Sequence, residues 1–103
     1  MDDIIIDSNL YVDHKKSYGP GLQSVFRALA QAGPDGLTDQ GVARTLQMKH
    51  KTTSARRVEL TRWGFVYPVG MVKEVRQRAR IWALTPAGIA EAITRGFYGI
   101  QGD

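Results

Sequence analysis

Arg76, Arg78 and Arg80 alternate along the chain, with Lys73 just before them. On an extended strand that spacing puts the three guanidinium groups on one face. A row of cations on a ribbon can follow a phosphate backbone or reach into a minor groove. The competing reading is that charges on an exposed strand discourage edge-to-edge pairing, and the two readings are compatible. The arginines belong to a wider pattern. Residues 44–80 hold ten basic side chains against Glu59 and Glu74, a local balance of +8 between flanks of −3 and −1. A basic middle between acidic ends is a directional field whose natural partner is a polyanion.

Other chemistries find little support. The chain has no cysteine, which removes disulfides, thiolate metal sites and cysteine nucleophiles together. His14 and His50 are far apart, and neither has a second ligand at metal-binding spacing. Gly19-Pro20-Gly21 lacks the lysine and the strand-before, helix-after context of a phosphate-binding loop. Ser17, Ser24 and Ser54 have no accompanying His/Asp pattern, and the carboxylates form no recognisable acid–base pair. No enzymatic activity, metal or cofactor is expected. The wholly apolar runs, Ile4-Ile5-Ile6 among them, are far too short for a membrane span or a signal-peptide core. No membrane partner is therefore expected, and the expected location is the cytoplasm.

The elements that would position these cations can be read from punctuation and period. A chain of 103 residues accommodates one compact domain. Residues 1–18 show no helical period. With Asp2, Asp3, Asp7 and Asp13 around the three isoleucines they read as an arm, in which Ile4–Ile6 could add an edge strand or cover a partner. Pro20 opens a first helix whose apolar stripe is Leu22, Val25, Phe26, Leu29 and Ala30, and Gly33-Pro34 stops it. Thr38 caps a short second helix that ends near Gln47, with Asp39 in its first turn. A third helix is predicted from about Lys51 to Trp63, with Thr53, Arg56 or Arg57, Leu60 and Trp63 inward and Gly64 ending it.

Phe65 to Val69 reads as a strand that Pro68 confines to an edge or ends early, and Gly70 starts a connection. Val75 to Leu84 reads as the returning strand, in which a twist or bulge must separate Arg80 from Trp82 and Leu84. Thr85-Pro86 opens a fourth helix with Ile89, Ala90 and Ile93 on one side. The expected organisation is an arm (1–18), a domain (19–95) and a glycine-marked tail (96–103) in which Phe97, Tyr98 and Ile100 can still pack. Trp63 and Trp82, at a helix end and beside Leu84, are expected in the core rather than as stacking platforms for bases.

The order helix, helix, helix, strand, strand, helix, mainly α with a small β-wing, resembles the winged helix-turn-helix family. Leu37-Thr38-Asp39-Gln40-Gly41-Val42-Ala43-Arg44-Thr45-Leu46 is similar to that family's second helix, including the alanine at the crowded crossing. Arg56-Arg57-Val58-Glu59-Leu60-Thr61-Arg62-Trp63-Gly64-Phe65-Val66 resembles the end of its recognition helix and the turn into the wing. Arg80-Ile81-Trp82-Ala83-Leu84-Thr85-Pro86-Ala87-Gly88 resembles the second wing strand running into the next helix. The combination is closest in kind to small winged-helix proteins of bacteria and their phages. Lys49 stands where the family often has a capping asparagine or serine, and Thr53 replaces a small aliphatic residue.

The resemblance implies that the third helix enters the major groove of double-stranded DNA with its N-terminal residues toward base edges. Here those are Lys49, His50, Lys51, Thr52, Ser54 and Ala55, followed by Arg56, with Lys73, Arg76, Arg78 and Arg80 of the wing on the backbone. Arg57 has two readings, a DNA contact or a structural pair with Asp39 or near Glu59. The implied role is sequence-specific regulation of transcription, or an accessory part in replication or recombination. The alternative is a winged-helix module that docks on a host replication, transcription or nuclease protein, since fold does not dictate function. A homodimer is a further expectation, because the first and fourth helices and the arm offer apolar surface outside the reading unit.

Overall fold

The computed structural model describes residues 18–74 and 76–98. The expectations for Ile4–Ile6, the acidic arm and Ile100 lie outside the described residues. Helix α1 (Pro20–Ala32) begins at Pro20 and buries Leu22, Val25, Phe26, Ala28, Leu29 and Ala30, the stripe its period predicts. Gly33, at φ 71°, ends it and leads into a 3₁₀ turn over Gly33–Asp35. Helix α2 (Asp39–Leu46) starts on Thr38, whose hydroxyl oxygen accepts a hydrogen bond from the Gly41 N–H at 2.9 Å. Helix α3 (His50–Arg62) begins one residue before the predicted start and buries Thr53 and Leu60. Thr53, polar at a fully buried position, donates its hydroxyl to the Lys49 carbonyl at 3.0 Å, so a hydroxyl in the seam leaves no orphaned donor. Trp63 caps α3, and Gly64 turns the chain at φ 83°.

Strands β1 (Val66–Glu74) and β2 (Gln77–Leu84) pair antiparallel into the wing. β1 does not stop at Pro68 or Gly70, as the sequence suggested, and the reason lies across the ribbon. Trp82, the register partner of Pro68, donates its N–H to the Leu37 carbonyl at 2.8 Å and accepts from the Leu37 N–H at 2.9 Å. With both groups of Trp82 turned to Leu37, nothing is asked of the missing proline N–H. The register then slips between Pro68 and Gly70, and pairing resumes from Gly70 to Glu74. The irregularity lies opposite Ile81 and Trp82; Arg80 is exposed and Leu84 buried, yet Arg80 and Trp82 still line the same side of the ribbon, so the expected separation of those two is not made.

Helix α4 (Pro86–Thr94) is capped by Thr85, whose hydroxyl accepts from the Gly88 N–H at 3.0 Å and donates to the Gly64 carbonyl at 2.6 Å. Its inward residues are Gly88 and Ala92. A Cβ on Gly88 would stand 2.1 Å from the Phe65 carbonyl oxygen, so the helix meets the backbone just before β1 with its small face and Ile89 and Ile93 look outward. The core gathers around Phe26, which meets Phe97 edge to face at 5.2 Å, with Val25, Leu29, Leu60, Val66, Leu84 and Ala92. Tyr18 stacks on Trp63 at 5.6 Å and joins this core. Trp63 and Trp82 are partly buried against it. The molecule has the winged helix-turn-helix fold, with Leu37 adding a one-residue third strand at the root of the wing.

Candidate nucleic-acid interface

Asp39, in the first turn of α2, organises the seam between the helices and the wing. Its Oδ1 accepts from Arg57 Nε at 2.9 Å, and its Oδ2 accepts from Arg57 Nη2 at 2.7 Å and from Ser54 Oγ at 2.9 Å. The Arg57 guanidinium carbon stands 3.8 Å from the centroid of the Trp82 ring. Burial acts to raise the Asp39 carboxyl. The hydrogen bonds from Arg57 and Ser54, with the charges of Arg57 and His50, outweigh it and hold the group below its ordinary value. Arg57 and Ser54 are thus both engaged by Asp39, one of the two roles the sequence left open for Arg57.

Beside this seam the wing and the helices enclose a groove of about 780 Å³. Arg44 and Gln40 of α2, His50 of α3, and Arg76, Arg80 and Trp82 of the wing line it, together with Arg57, Asp39 and Glu74. Lys49, His50, Lys51 and Thr52 are exposed around the N-terminus of α3, where Lys49 is the N-cap and makes no side-chain capping bond. The free N–H groups there favour an anion.

Not every expected residue joins this group. Arg56 stands on the flank of α3 that faces α1. Its Nε lies 3.2 Å from Glu59 Oε1, and its stem is the nearest side chain to Gly21. Arg76, Arg78 and Arg80 do not form one three-residue row either, because β2 begins at Gln77 and Arg76 lies in the turn before it. Arg80 lines the groove, whereas Arg78 pairs across the ribbon with Lys73 near its tip, both exposed. Two cations directly opposite each other repel, a cost that a bound anion removes.

Two cations of the basic run belong beside these although the sequence reading assigns them no contact. Arg44 is the first of the basic run and sits in the last turn of α2, and that position was the available signal. Arg62 is exposed on α3 and falls on the face of Lys51 and Ala55, opposite Thr53 and Leu60. Among the described residues no group of three metal-ligating side chains comes together, and no helix is long and apolar enough to cross a membrane.

No protein-family model matches the sequence, and no curated protein matches it either. Solved structures do resemble it. MepR, a transcription regulator of the Staphylococcus aureus multidrug efflux pump MepA, is 24% identical over 98% of this chain and 76% of its own, with a TM-score of 0.60. The S. aureus MepR–DNA complex matches at 22% identity over 94% of this chain and 82% of its own, also at 0.60. NMB1585, a MarR family regulator from Neisseria meningitidis, is 20% identical over 97% of this chain and 72% of its own, at 0.65. At such identities the likeness is one of architecture, and this chain shares with those regulators the winged helix-turn-helix fold.

Proposed function

We propose that this chain binds double-stranded DNA in a sequence-specific way and regulates transcription. The N-terminus of α3 lies in the major groove, and the wing rests on the flanking backbone. Lys51 and Thr52 meet base edges. Lys49, His50, Arg44, Arg76 and Arg80 take phosphates around the groove, and Lys73 and Arg78 take them further along the wing. Arg57 and Ser54 serve by holding α3 to α2 through Asp39, and Arg62 extends the outward face of α3. One observation carries the reading: basic side chains from α2, α3 and the wing converge on a single groove. A protein with this role works in the cytoplasm, on the nucleoid.

Titration of a labelled duplex at increasing salt tests it. Several phosphate contacts give a log–log slope of about −0.9 for each one. Affinity that ignores salt would overturn the reading. Selection of bound duplexes from a random pool tests specificity separately, and an unenriched pool would leave only general binding.

A protein contact is favoured by a different surface. Ile89 and Ile93 of α4 are 42% and 62% exposed, and with Tyr67, Pro34 and Tyr98 they line an apolar cleft of about 650 Å³ that carries no charged residue. A second copy of this chain is the proposed occupant. A symmetric dimer would ask for half-sites about one helical turn apart.

A further inference from the structure

Glu74 is the last residue of β1, paired with Gln77 at the end of the hairpin. Its carboxylate nevertheless reaches back to α2, where Oε2 accepts a hydrogen bond from the Thr38 hydroxyl. Thr38 is 7% exposed, and its oxygen also accepts from the Gly41 N–H. A hydroxyl has one proton to give, and Thr38 gives it to Glu74. Around Glu74 the wing is otherwise open: Lys73, Arg76, Gln77 and Arg78 are exposed, whereas Glu74 is half-buried. The positive end of α2 also attracts a carboxylate placed there. The tip of the ribbon is therefore tied to the helix that forms the far wall of the groove.

Glu74 lines the same groove as Arg44, His50, Arg76 and Arg80. We infer that the Glu74–Thr38 hydrogen bond is a clasp that closes the wing over the groove, and that a nucleic-acid phosphate must displace it. The inference rests on the DNA-binding reading for the identity of the competitor. A carboxylate already held among these cations takes part of the attraction a phosphate would feel, and it repels the phosphate itself. Among the described residues one side-chain hydrogen bond ties the tip to α2, so the closed wing weakens binding without abolishing it. A duplex that makes many phosphate contacts opens the wing, whereas a short or poorly fitting polyanion does not. The clasp thereby filters partners by the number of contacts they offer at once.

Two substitutions separate the clasp from the charge. Glu74→Gln removes the charge but keeps an oxygen that can accept from Thr38, and Glu74→Ala removes both. Because the chain has no cysteine, Thr45→Cys and Val72→Cys, both at exposed positions, can carry a pair of spin labels whose separation reports the wing. We expect the free parent and Glu74→Gln to share one short separation. Free Glu74→Ala and the duplex-bound parent should show a longer one. Duplex affinity at fixed salt should be about fivefold to tenfold higher for Glu74→Ala than for Glu74→Gln. Equal separations and equal affinities in the two variants would overturn the clasp, and so would weaker binding by Glu74→Ala, which would mean that the contact orients the wing for DNA. If no variant holds a duplex, the DNA reading falls on its own. The separations in the free protein then decide the clasp, a longer one in Glu74→Ala upholding it and an unchanged one overturning it.

Discussion

Arg57 grips Asp39 with two hydrogen bonds, at 2.9 and 2.7 Å, and lays its guanidinium on Trp82, so one side chain joins α3, α2 and the wing. Both charged groups are largely withdrawn from water, with side-chain exposures of 14% and 13%. Removing one partner strands the other, and that cost exceeds the net worth of the intact pair. Asp39→Ala is expected to lower the unfolding free energy by about 2–3 kcal/mol. Arg57→Lys, which keeps the charge but loses the planar fork and the stack, should cost nearly as much. Urea denaturation of the three proteins checks this, and a loss under about 0.5 kcal/mol for either variant would contradict it.

The same pair sets a pH dependence. The folded carboxyl of Asp39 titrates below its ordinary value of 3.8, so the folded state holds the ionised form more firmly than the unfolded chain does. Its contribution is complete above that ordinary value and disappears as pH falls through the lowered one. Thermal melts of the parent should weaken more steeply than those of Asp39→Asn as pH falls below the ordinary carboxyl value of 3.8. Parallel curves for the two proteins would show that the carboxylate is not the titrating group.

Two glycines test how closely the wing root is packed. A Cβ on Gly36 would lie 2.3 Å from the Trp82 carbonyl oxygen, and one on Gly88 would lie 2.1 Å from that of Phe65. Backbone on both sides leaves nothing to yield cheaply. Gly36→Ala and Gly88→Ala should each cost about 3 kcal/mol or more, or prevent folding. Gly64 is the control: its φ is 83° but the space around it is open, so Gly64→Ala should cost only about 1–2 kcal/mol. A ranking in which Gly64→Ala is the worst of the three would count against the packing described here.

For the wing, Arg76→Ala combined with Arg78→Ala should weaken binding to every duplex and make the salt slope shallower by up to about 1.8. Stability in urea should stay within about 0.5 kcal/mol of the parent, because both side chains are exposed. A slope identical to the parent's would remove these two residues from the phosphate contacts.

The outward face of α4 gives the last test. Ile89→Ser with Ile93→Ser should leave the isolated fold nearly as stable, since neither side chain is buried. Sedimentation should show weaker self-association. A monomeric parent would end the proposal that a second copy covers this face.

Much of this architecture is legible in the residues, and the exceptions share a physical origin. The stripe of α1, the Thr38 and Thr85 caps and the turn at Gly64 are local matters of period and backbone geometry, and they fold as read. The length of β1 was misread because Pro68 is harmless only when Trp82 turns both its backbone groups to Leu37, a partner remote in sequence. The isoleucines of α4 were correctly placed on one side, but period alone does not say which side is inside. That choice follows from the Phe65 carbonyl against Gly88. In the interface the chemistry of the basic run was plain, while the membership of the groove was not. Arg44 enters it and Arg56 leaves it through the way α2, α3 and the wing pack around Asp39.

The two hydrogen bonds between Leu37 and Trp82 brace the ribbon at its base, and the Glu74–Thr38 bond holds its tip. Beyond the slipped register at Pro68 and Gly70, β2 is the only strand paired with β1 among the described residues, and a two-stranded ribbon by itself is barely stable in water. Once the Glu74–Thr38 bond is open, the wing therefore behaves as a lever with a stiff foot and a compliant arm, its fulcrum at the irregularity. Amide hydrogens of the arm should exchange with solvent far sooner than those of Leu37 and Trp82, and a force applied to Arg78 should bend the ribbon there before it disturbs the helices.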